Sequence, residues 1–342
     1  MAIPTLSEEL NTWFTQTWYE IQPETIDNIL DATPVTALLK EKGVFRPRRG
    51  GDTLTKTIRY GEKTAFVFGK GDVLPVTEEE LSTQARWPWA QFGVPITRTF
   101  VDDMANTGID MIKDYVEDRL SAARDALVQK LEAIVMAESI FVAGSKEPLS
   151  LFDYVPSTIS GADYFDTTPF YYGGISRNNT WWQHHDFTAV AAASSAMQHG
   201  IKAGPYALTM LADMKNAFNT THAQISPPNM ILTTQTLYET YETFAEAKEQ
   251  IVRDESTRLA DLGYDVLRYR GVPMTWSASM TANHMLMLNS EFMEVTYDPA
   301  AWFQMTDWQR PARQLEQVAY IVSRMQIRGW QPRRNCRIKW TV

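Results

Sequence analysis

Residues 109–134, IDMIKDYVEDRLSAARDALVQKLEAI, carry the strongest structural pattern in the sequence. Apolar residues recur at spacings of three and four, and charged residues fill the opposite face, as in an amphipathic helix. The apolar positions are Ile109, Ile112, Val116, Leu120, Ala123, Leu127, Leu131 and Ile134. Gly108 and Gly144 bracket the pattern, so we predict a helix over 109–143. At about 1.5 Å per residue it is roughly 50 Å long, which makes it a structural spine.

The region before this helix, residues 52–100, has the alternating pattern of β-strands. TLTKTIRY (53–60) places apolar and polar residues on opposite faces, and a second strand-like stretch follows at 85–100. Pro88 and Pro95 cannot donate hydrogen bonds inside a sheet, which indicates a sheet edge or a free-standing hairpin. Because an isolated hairpin is only marginally stable in water, we expect this extended loop to need a partner.

Residues 1–51 look like an arm rather than a domain. Short apolar clusters, which include Trp13 and Trp18, are separated by prolines such as Pro23 and Pro34. These clusters are too short to bury one another, so we expect the arm to depend on a neighbour.

The remainder of the chain predicts short strands and helices in alternation. Residues 186–204 predict a helix, and 229–244 predict a buried strand that turns into a helix. Short strands are expected between residues 266 and 298, followed by a long strand at 317–327 and a last one at 336–340.

Length and composition set the class of protein. A chain of 342 residues is expected to form two or more structural units, and 44% hydrophobic with 21% charged residues is ordinary for a soluble folded protein. The net charge of −9 disfavours tight binding of polyanions. The single cysteine, Cys336, excludes an internal disulfide framework. We expect neither a membrane span nor a signal peptide, and therefore a cytoplasmic origin.

The stretch RNNTWWQHHDF, residues 177–187, has the composition most typical of a metal-binding or sugar-binding site. The adjacent His184 and His185 diverge in a strand or a helix, so their spacing does not suit a metal. Trp181 and Trp182 suit a sugar platform, but the chain's 11 tryptophans are dispersed, which favours packing or interfaces. We expect the two tryptophans to anchor this loop to its own domain or to an adjacent subunit. Arg177 is expected to form an ion pair or to bind backbone carbonyls.

No other catalytic motif stands out. The sequence contains no GxSxG elbow, no Walker loop and no GxGxxG after a strand. Two basic clusters remain, and in an acidic chain they are expected to pair with acidic patches on neighbours. They comprise Arg46, Arg48 and Arg49, and Arg333, Arg334 and Arg337.

The order of these elements resembles the major capsid proteins of tailed phages with the Hong Kong 97-type fold. The resemblance covers nearly the whole chain. It includes the phrases GGISRNNTWW (173–182), ILTTQTLYETYE (231–242), RGVPM (270–274) and PRRN (332–335).

The resemblance implies an α+β fold with an N-terminal arm (1–51) and an extended β-hairpin loop (52–100). It implies a peripheral domain from residues 101–190, which contains the spine helix, and 300–342, and an axial domain from 191–299. It also implies a shell of hexamers and pentamers around double-stranded DNA.

The implied partners are other copies of the chain, a portal protein, a decoration protein in some shells, and packaged DNA held by weak non-specific contacts. Because few residues precede the extended loop, we expect a separate scaffolding protein rather than a removed N-terminal segment. No cofactor, metal, catalytic residue or membrane is implied, and the location is the virion capsid after assembly in the host cytoplasm.

The residues expected to contact other subunits combine the aromatic and basic positions. They are Trp13, Trp18, Arg46, Arg48, Arg49, Lys63, Lys70, Trp87, Trp89, Arg177, Trp181, Trp182, Arg333 and Arg334. The family's founding member has lysine–asparagine cross-links, for which Lys63, Lys70 and Asn335 are the candidates here. The alternative functions are a carbohydrate-active hydrolase that uses tryptophan-rich surfaces, or another phage head or tail structural protein.

Overall fold

The computed structural model describes residues 6–61, 67, 69–70, 80–99, 109–137, 146–156, 171–177, 179–189, 207–222, 226–246, 267–312 and 316–340. Its α-helices are α1 (Leu6–Asp31), α2 (Pro34–Glu41), α3 (Ile109–Met136), α4 (Leu151–Tyr154), α5 (Ala207–His222) and α6 (Gln235–Glu246). Its strands are β1 (Phe45–Pro47), β2 (Thr53–Arg59), β3 (Ser82–Pro88), β4 (Ala90–Thr99), β5 (Tyr171–Tyr172), β6 (Ile175–Ser176), β7 (His185–Ala189), β8 (Met230–Thr233), β9 (Leu267–Tyr269), β10 (Val272–Trp276), β11 (His284–Leu288), β12 (Met293–Tyr297), β13 (Gln304–Met305), β14 (Glu316–Gly329) and β15 (Cys336–Trp340).

The long strand β14 organises a five-stranded sheet. The main path runs β1-β12-β14-β13, and β4 also pairs with β14. β4 lies antiparallel to residues 316–325 of β14, and β12 lies antiparallel to residues 325–329. Ala319, Ile321 and Ile327 are fully buried. The predicted long strand and its buried face are therefore confirmed.

A second sheet has six strands in the order β7-β15-β11-β8-β10-β9. β15 is parallel to β7 and antiparallel to β11. Helices α5 and α6 contribute Met214 and Leu237 to a hydrophobic cluster on this sheet, separate from the cluster around β14. The strand-to-helix unit predicted at 229–244 is observed as β8 and α6.

Some strands pair across the boundary between the peripheral and axial domains that the resemblance implies. Residues 185–189 and 336–340 fall in the expected peripheral segments, but as β7 and β15 they join strands of the expected axial segment. The helix predicted from residue 186 is also wrong at its start, because residues 185–189 form a strand. Residues 190–204 of that prediction lie outside the described residues.

The spine helix α3 has 28 residues, which makes it about 42 Å long. Leu120, Leu127 and Leu131 are buried, and the helix packs against β4. This confirms the apolar stripe of the sequence for the turns whose side chains are described. The helix ends at Met136, and residues 138–143 of the prediction lie outside the described residues.

The arm is helical, and it packs on its own chain. α1 continues through Pro23, although proline removes a helical hydrogen bond and was expected to separate two clusters. Two side chains in the helical turns before Pro23 bond to a distant segment. Trp18 Nε1 donates to the Phe303 carbonyl at 3.0 Å. Gln22 Nε2 donates to the Trp302 carbonyl at 3.1 Å and to the Phe303 carbonyl at 3.2 Å. These tertiary bonds and the burial of Trp18 hold the helix where local sequence predicts a break.

The two-stranded hairpin consists of β2 and β3, which pair from Thr53↔Pro88 to Arg59↔Ser82. Its base is not free-standing, because Leu54, Ile58 and Trp87 are buried in the core of the same chain. β4 pairs with β14 rather than with the hairpin. The paired hairpin therefore comprises fewer residues than the range 52–100 expected for the extended loop. Pro95 lies on β4, which pairs with β14 and with no other described strand, as its missing N–H predicts.

Candidate assembly surfaces and the buried polar junction

The stretch 177–187 folds as a turn, a short 3₁₀ helix (Thr180–Trp182) and the start of β7. Trp182 is 1% exposed, and its Nε1 donates to the Tyr172 carbonyl at 3.0 Å. Trp181 is half-buried and stacks on Tyr60, with ring centroids 4.5 Å apart and planes inclined by 14°. The pair therefore anchors this loop within its own chain, one ring in the core and the other on the end of the hairpin.

Arg177 is fully buried and binds backbone carbonyls, which is one of the two roles expected for it. Its Nη2 donates to the carbonyls of Asp153 and Tyr154, both at 2.9 Å. Its guanidinium lies over the ring of Tyr172, 4.9 Å from the centroid. Burial lowers the pKa of Arg177 to about 10, so it remains protonated at neutral pH.

His184 is buried next to this guanidinium. Its Nδ1 lies 3.3 Å from Nη1 of Arg177. Because arginine only donates, Nδ1 must accept, and the ring is neutral with its proton on Nε2. Burial lowers the pKa of His184 well below its ordinary value, and the charges of Arg177 and Arg337 lower it further. The adjacent His185, in contrast, is partly exposed.

Asn335 links the two sheets. Its Nδ2 donates to the Tyr154 hydroxyl at 2.9 Å and to the Gln331 carbonyl at 3.1 Å, and its Oδ1 accepts from the Asn289 N–H at 2.8 Å. The Tyr154 hydroxyl in turn donates to the Phe292 carbonyl at 3.3 Å. A fully buried amide with these partners does not suit the lysine–asparagine cross-link considered for Asn335.

We define the buried polar junction as the group of polar side chains between the two sheets. It comprises Asp153, Tyr154, Tyr172, Arg177, His184, His284, Asn335 and Arg337. Arg337 and Nε2 of His284 form a hydrogen bond, and burial raises the pKa values of both tyrosines. All eight side chains are at most 2% exposed, so a substrate has no access to them. The junction can therefore orient the two sheets but cannot act on a ligand.

Lowering the pH is expected to destabilise the fold through His184. Unfolded histidine binds a proton near pH 6.5, whereas folded His184 resists it, so the unfolded state binds more protons below that pH. The contribution of neutral His184 to the free energy of unfolding is therefore fully present above about pH 6.5. It falls below that pH by up to about 1.4 kcal/mol per pH unit. Urea unfolding of the dissociated subunit at pH 7.5, 6.5 and 5.5 measures the slope.

The matched control for this prediction is His184→Asn. Its amide oxygen can still accept from Arg177, but it has no proton to gain. The slope below pH 6.5 should become shallower in this variant, and an unchanged slope would show that His184 does not cause it.

The metal and sugar hypotheses for this stretch receive no support. Among the described residues, no group of three or more His, Cys, Asp or Glu side chains is arranged to hold a metal ion. Trp182 has no exposed face for a sugar, and Tyr60 covers one face of Trp181. In the described part of the chain, no helix is long and apolar enough to cross a membrane.

The residues expected at subunit contacts fall into two groups. Trp18, Trp87, Arg177 and Trp182 are at most 1% exposed within the single chain, so they have no surface left for another subunit. These four side chains pack inside their own subunit. Lys63 lies outside the described residues.

The second group retains accessible surface. Trp13 is 42% exposed, Trp89, Trp181, Arg333 and Arg334 are half-buried, and Arg46, Arg48, Arg49 and Lys70 are exposed. Arg324 lies over the Trp89 ring at 4.6 Å, and Arg334 lies over the Phe292 ring at 4.7 Å. The inter-subunit hypothesis therefore remains a prediction for this group and for Lys63.

Sequence reasoning missed half of the junction, namely Asp153, Tyr154, Tyr172 and His284, as well as its partner Asn289. Tyr154, Tyr172 and Asn289 sit in unremarkable surroundings in the sequence, and their partners are far away along the chain. The sequence did draw attention to the other half, because Arg177 and His184 lie in the stretch 177–187, Asn335 lies in the phrase 332–335, and Arg337 belongs to a basic cluster.

No family model matches the chain, and no curated protein matches its sequence. Solved structures match its fold. The capsid asymmetric unit of cyanophage A-1(L) matches with a TM-score of 0.65 at 13% identity, over 91% of this chain and 93% of that chain. The chain has the fold of phage capsid proteins.

Two further shells share this capsid fold. The capsid of a native GTA particle matches with a TM-score of 0.55 at 10% identity, over 89% of this chain and 90% of that one. The SrpI encapsulin of Synechococcus elongatus matches with a TM-score of 0.50 at 9% identity, over 86% and 84%. The α+β capsid fold implied by the resemblance is confirmed.

Proposed function

We propose that this chain is the major capsid protein of a tailed bacteriophage. It self-assembles as hexamers and pentamers into an icosahedral shell that encloses double-stranded DNA. The observation that carries the proposal is the fold match with the cyanophage A-1(L) capsid, which extends over almost the whole of both chains.

The physical properties of the chain support a structural rather than a catalytic role. The polar junction is sealed from solvent, and it holds two sheets together rather than lining a cleft. The net charge of −9 suits a container wall, because a wall that bound DNA tightly would hinder packing and release. Contacts repeated by symmetry make such a shell cooperative.

We propose the following regions for the subunit. The N-terminal arm comprises residues 1–51, and the extended loop is the β2–β3 hairpin with its connection. The peripheral region contains α3 and the five-stranded sheet, and the axial region is built on residues 191–299. We assign β7 and β15 to the axial region because they complete its sheet.

The proposed partners follow from the same function. They are other copies of the chain, a separate scaffolding protein, a portal protein, a decoration protein on some shells, and packaged DNA through weak non-specific contacts. Assembly takes place in the host cytoplasm, and the mature location is the virion capsid.

Expression of the chain alone and with its scaffolding protein tests the proposal. Electron microscopy and sedimentation should reveal closed shells or capsomer rings, and particles from infected cells should contain nuclease-protected double-stranded DNA. Shells that enclose protein cargo without DNA would contradict the phage role while keeping the capsid fold. A chain that stays monomeric in both settings would contradict assembly itself.

The alternatives make different predictions in the same experiments. A carbohydrate-active hydrolase would bind oligosaccharides as a monomer, and the positions of Trp181 and Trp182 do not favour it. Another head or tail structural protein would form tubes or open rings rather than closed shells.

A further inference from the structure

An open groove of about 690 Å³ runs along α1 and the segment after β13. Its floor includes the ring of Trp308, which is held edge-on by Phe14 at a centroid distance of 5.3 Å. Tyr19, 52% exposed, lies along one side. A groove of this volume accommodates a drug-sized ligand or a few residues of polypeptide.

The groove has acidic rims. Glu20 and Asp307 line it and are exposed, and none of the described residues that line it is basic. The guanidinium of Arg98 lies 5.4 Å from the Trp308 ring centroid. It is 1% exposed and donates to Gln317, so it lies behind the floor.

Two buried polar atoms among the lining residues have no hydrogen-bond partner in the described part of the chain. They are the acceptor Oδ1 of Asn11 and the donor Nε1 of Trp308. Buried polar atoms are normally paired, because an unmade hydrogen bond costs about 1–3 kcal/mol. Both atoms are inaccessible in the single chain, so the contact with an occupant falls to the exposed side chains Tyr19, Glu20 and Asp307.

The segment Arg46–Pro47–Arg48–Arg49 has the complementary properties. All three arginines are exposed, and their side chains have no ion pair within the described residues. The segment begins in β1, the edge strand of the five-stranded sheet. Its backbone offers few free donors, because Pro47 has no N–H and the Arg48 N–H donates to the Tyr297 carbonyl at 2.9 Å, so its arginine side chains carry the recognition.

We propose that the groove on α1 of one subunit binds the segment 46–49 of a second copy of this chain. The arginines pair with Glu20 and Asp307 on the rims of the groove. Groove and segment are different surfaces of one chain, so the contact is heterologous and propagates around a ring. This inference rests on the proposed shell function and names one contact within it.

Disulfide trapping tests the contact directly. The variants Gln16→Cys and Arg48→Cys are made on separate, differently tagged chains, co-assembled and oxidised, with the wild type as the control for the buried Cys336. Cross-linked heterodimers are expected in particles from the mixture and absent when either variant assembles alone. Particles without heterodimers would overturn the inference and leave the shell function intact, whereas a wild type that forms no particles would contradict the shell function.

Charge reversal tests the pairing. Glu20→Lys with Asp307→Lys, or Arg46→Glu with Arg48→Glu and Arg49→Glu, should each raise the critical assembly concentration by about tenfold or more, because like charges then face each other. Combining all five substitutions should restore assembly. Glu239→Lys, at an exposed acid on α6, should leave it unchanged, and all variants should keep their unfolding midpoints. Failure of the combined variant to recover would overturn the pairing.

Discussion

Trp182→Ala should destabilise the subunit by about 3–5 kcal/mol, the usual cost of removing a large aromatic side chain from a core. Trp182 is 1% exposed and packs beside Tyr172, whose carbonyl accepts its Nε1–H. The substitution leaves a cavity and an unpaired carbonyl next to the polar junction. The urea midpoint of the dissociated subunit measures the effect, and the yield of soluble chain should fall with it.

The chain offers matched controls for this prediction. Trp13→Ala removes the same side chain from a position that is 42% exposed, so its effect on subunit stability should be below about 1 kcal/mol. Trp182→Phe keeps much of the ring but loses the N–H, which separates packing from the hydrogen bond. A Trp181→Ala, Trp182→Ala double variant that assembles with normal stability would refute the anchoring role of the pair.

Gly329→Ala should destabilise the subunit by about 3 kcal/mol or more, at the upper end of overpacking effects. A Cβ at position 329 would lie 2.2 Å from Cε2 and Cζ of Tyr154, far inside van der Waals contact. The ring cannot move away easily, because it is fully buried and its hydroxyl is bonded to Asn335 and to the Phe292 carbonyl. The long strand β14 would have to shift instead. Thermal unfolding of the dissociated subunit measures the loss.

The control is Gly174→Ala. Its Cβ would meet no atom within 4 Å, but its φ of +77° is unfavourable for alanine, so a cost of about 1–2 kcal/mol is expected. Gly329 has no such positive φ, so its cost should come from the Tyr154 ring, and a loss no larger than that of Gly174→Ala would contradict the overpacking.

Local patterns predicted the elements whose signal is contained in a short segment. The stripe of α3, the alternation along β14 and the β8–α6 unit all match the expected periods, because those periods are imposed by one buried face. The break expected at Pro23 failed because Trp18 and Gln22 bond to Phe303, some 280 residues away. No local rule contains that distant partner.

The sequence predicted the individual helices and strands better than it predicted which distant segments they contact. β4 was correctly expected as a strand, but its pairing with β14 joins residues more than 200 positions apart. The same limit applies to the junction. Spacing excluded a metal at His184 and His185, but it could not indicate that His184 is buried beside Arg177. The start of the helix predicted from residue 186 was wrong because residues 185–189 form β7, which is stabilised by pairing with β15.

The sequence positions of β14 and β15 have a consequence for how the chain is made. β14 holds β4, β12 and β13 together, and β15 joins β7 to β11, yet both strands come after all of these partners in the chain. Neither sheet can close on the ribosome until residues 316–340 have emerged from the exit tunnel. Folding therefore depends on contacts between distant segments, which form slowly. A nascent chain should therefore not present a finished sheet surface to its neighbours before residues 316–340 are available.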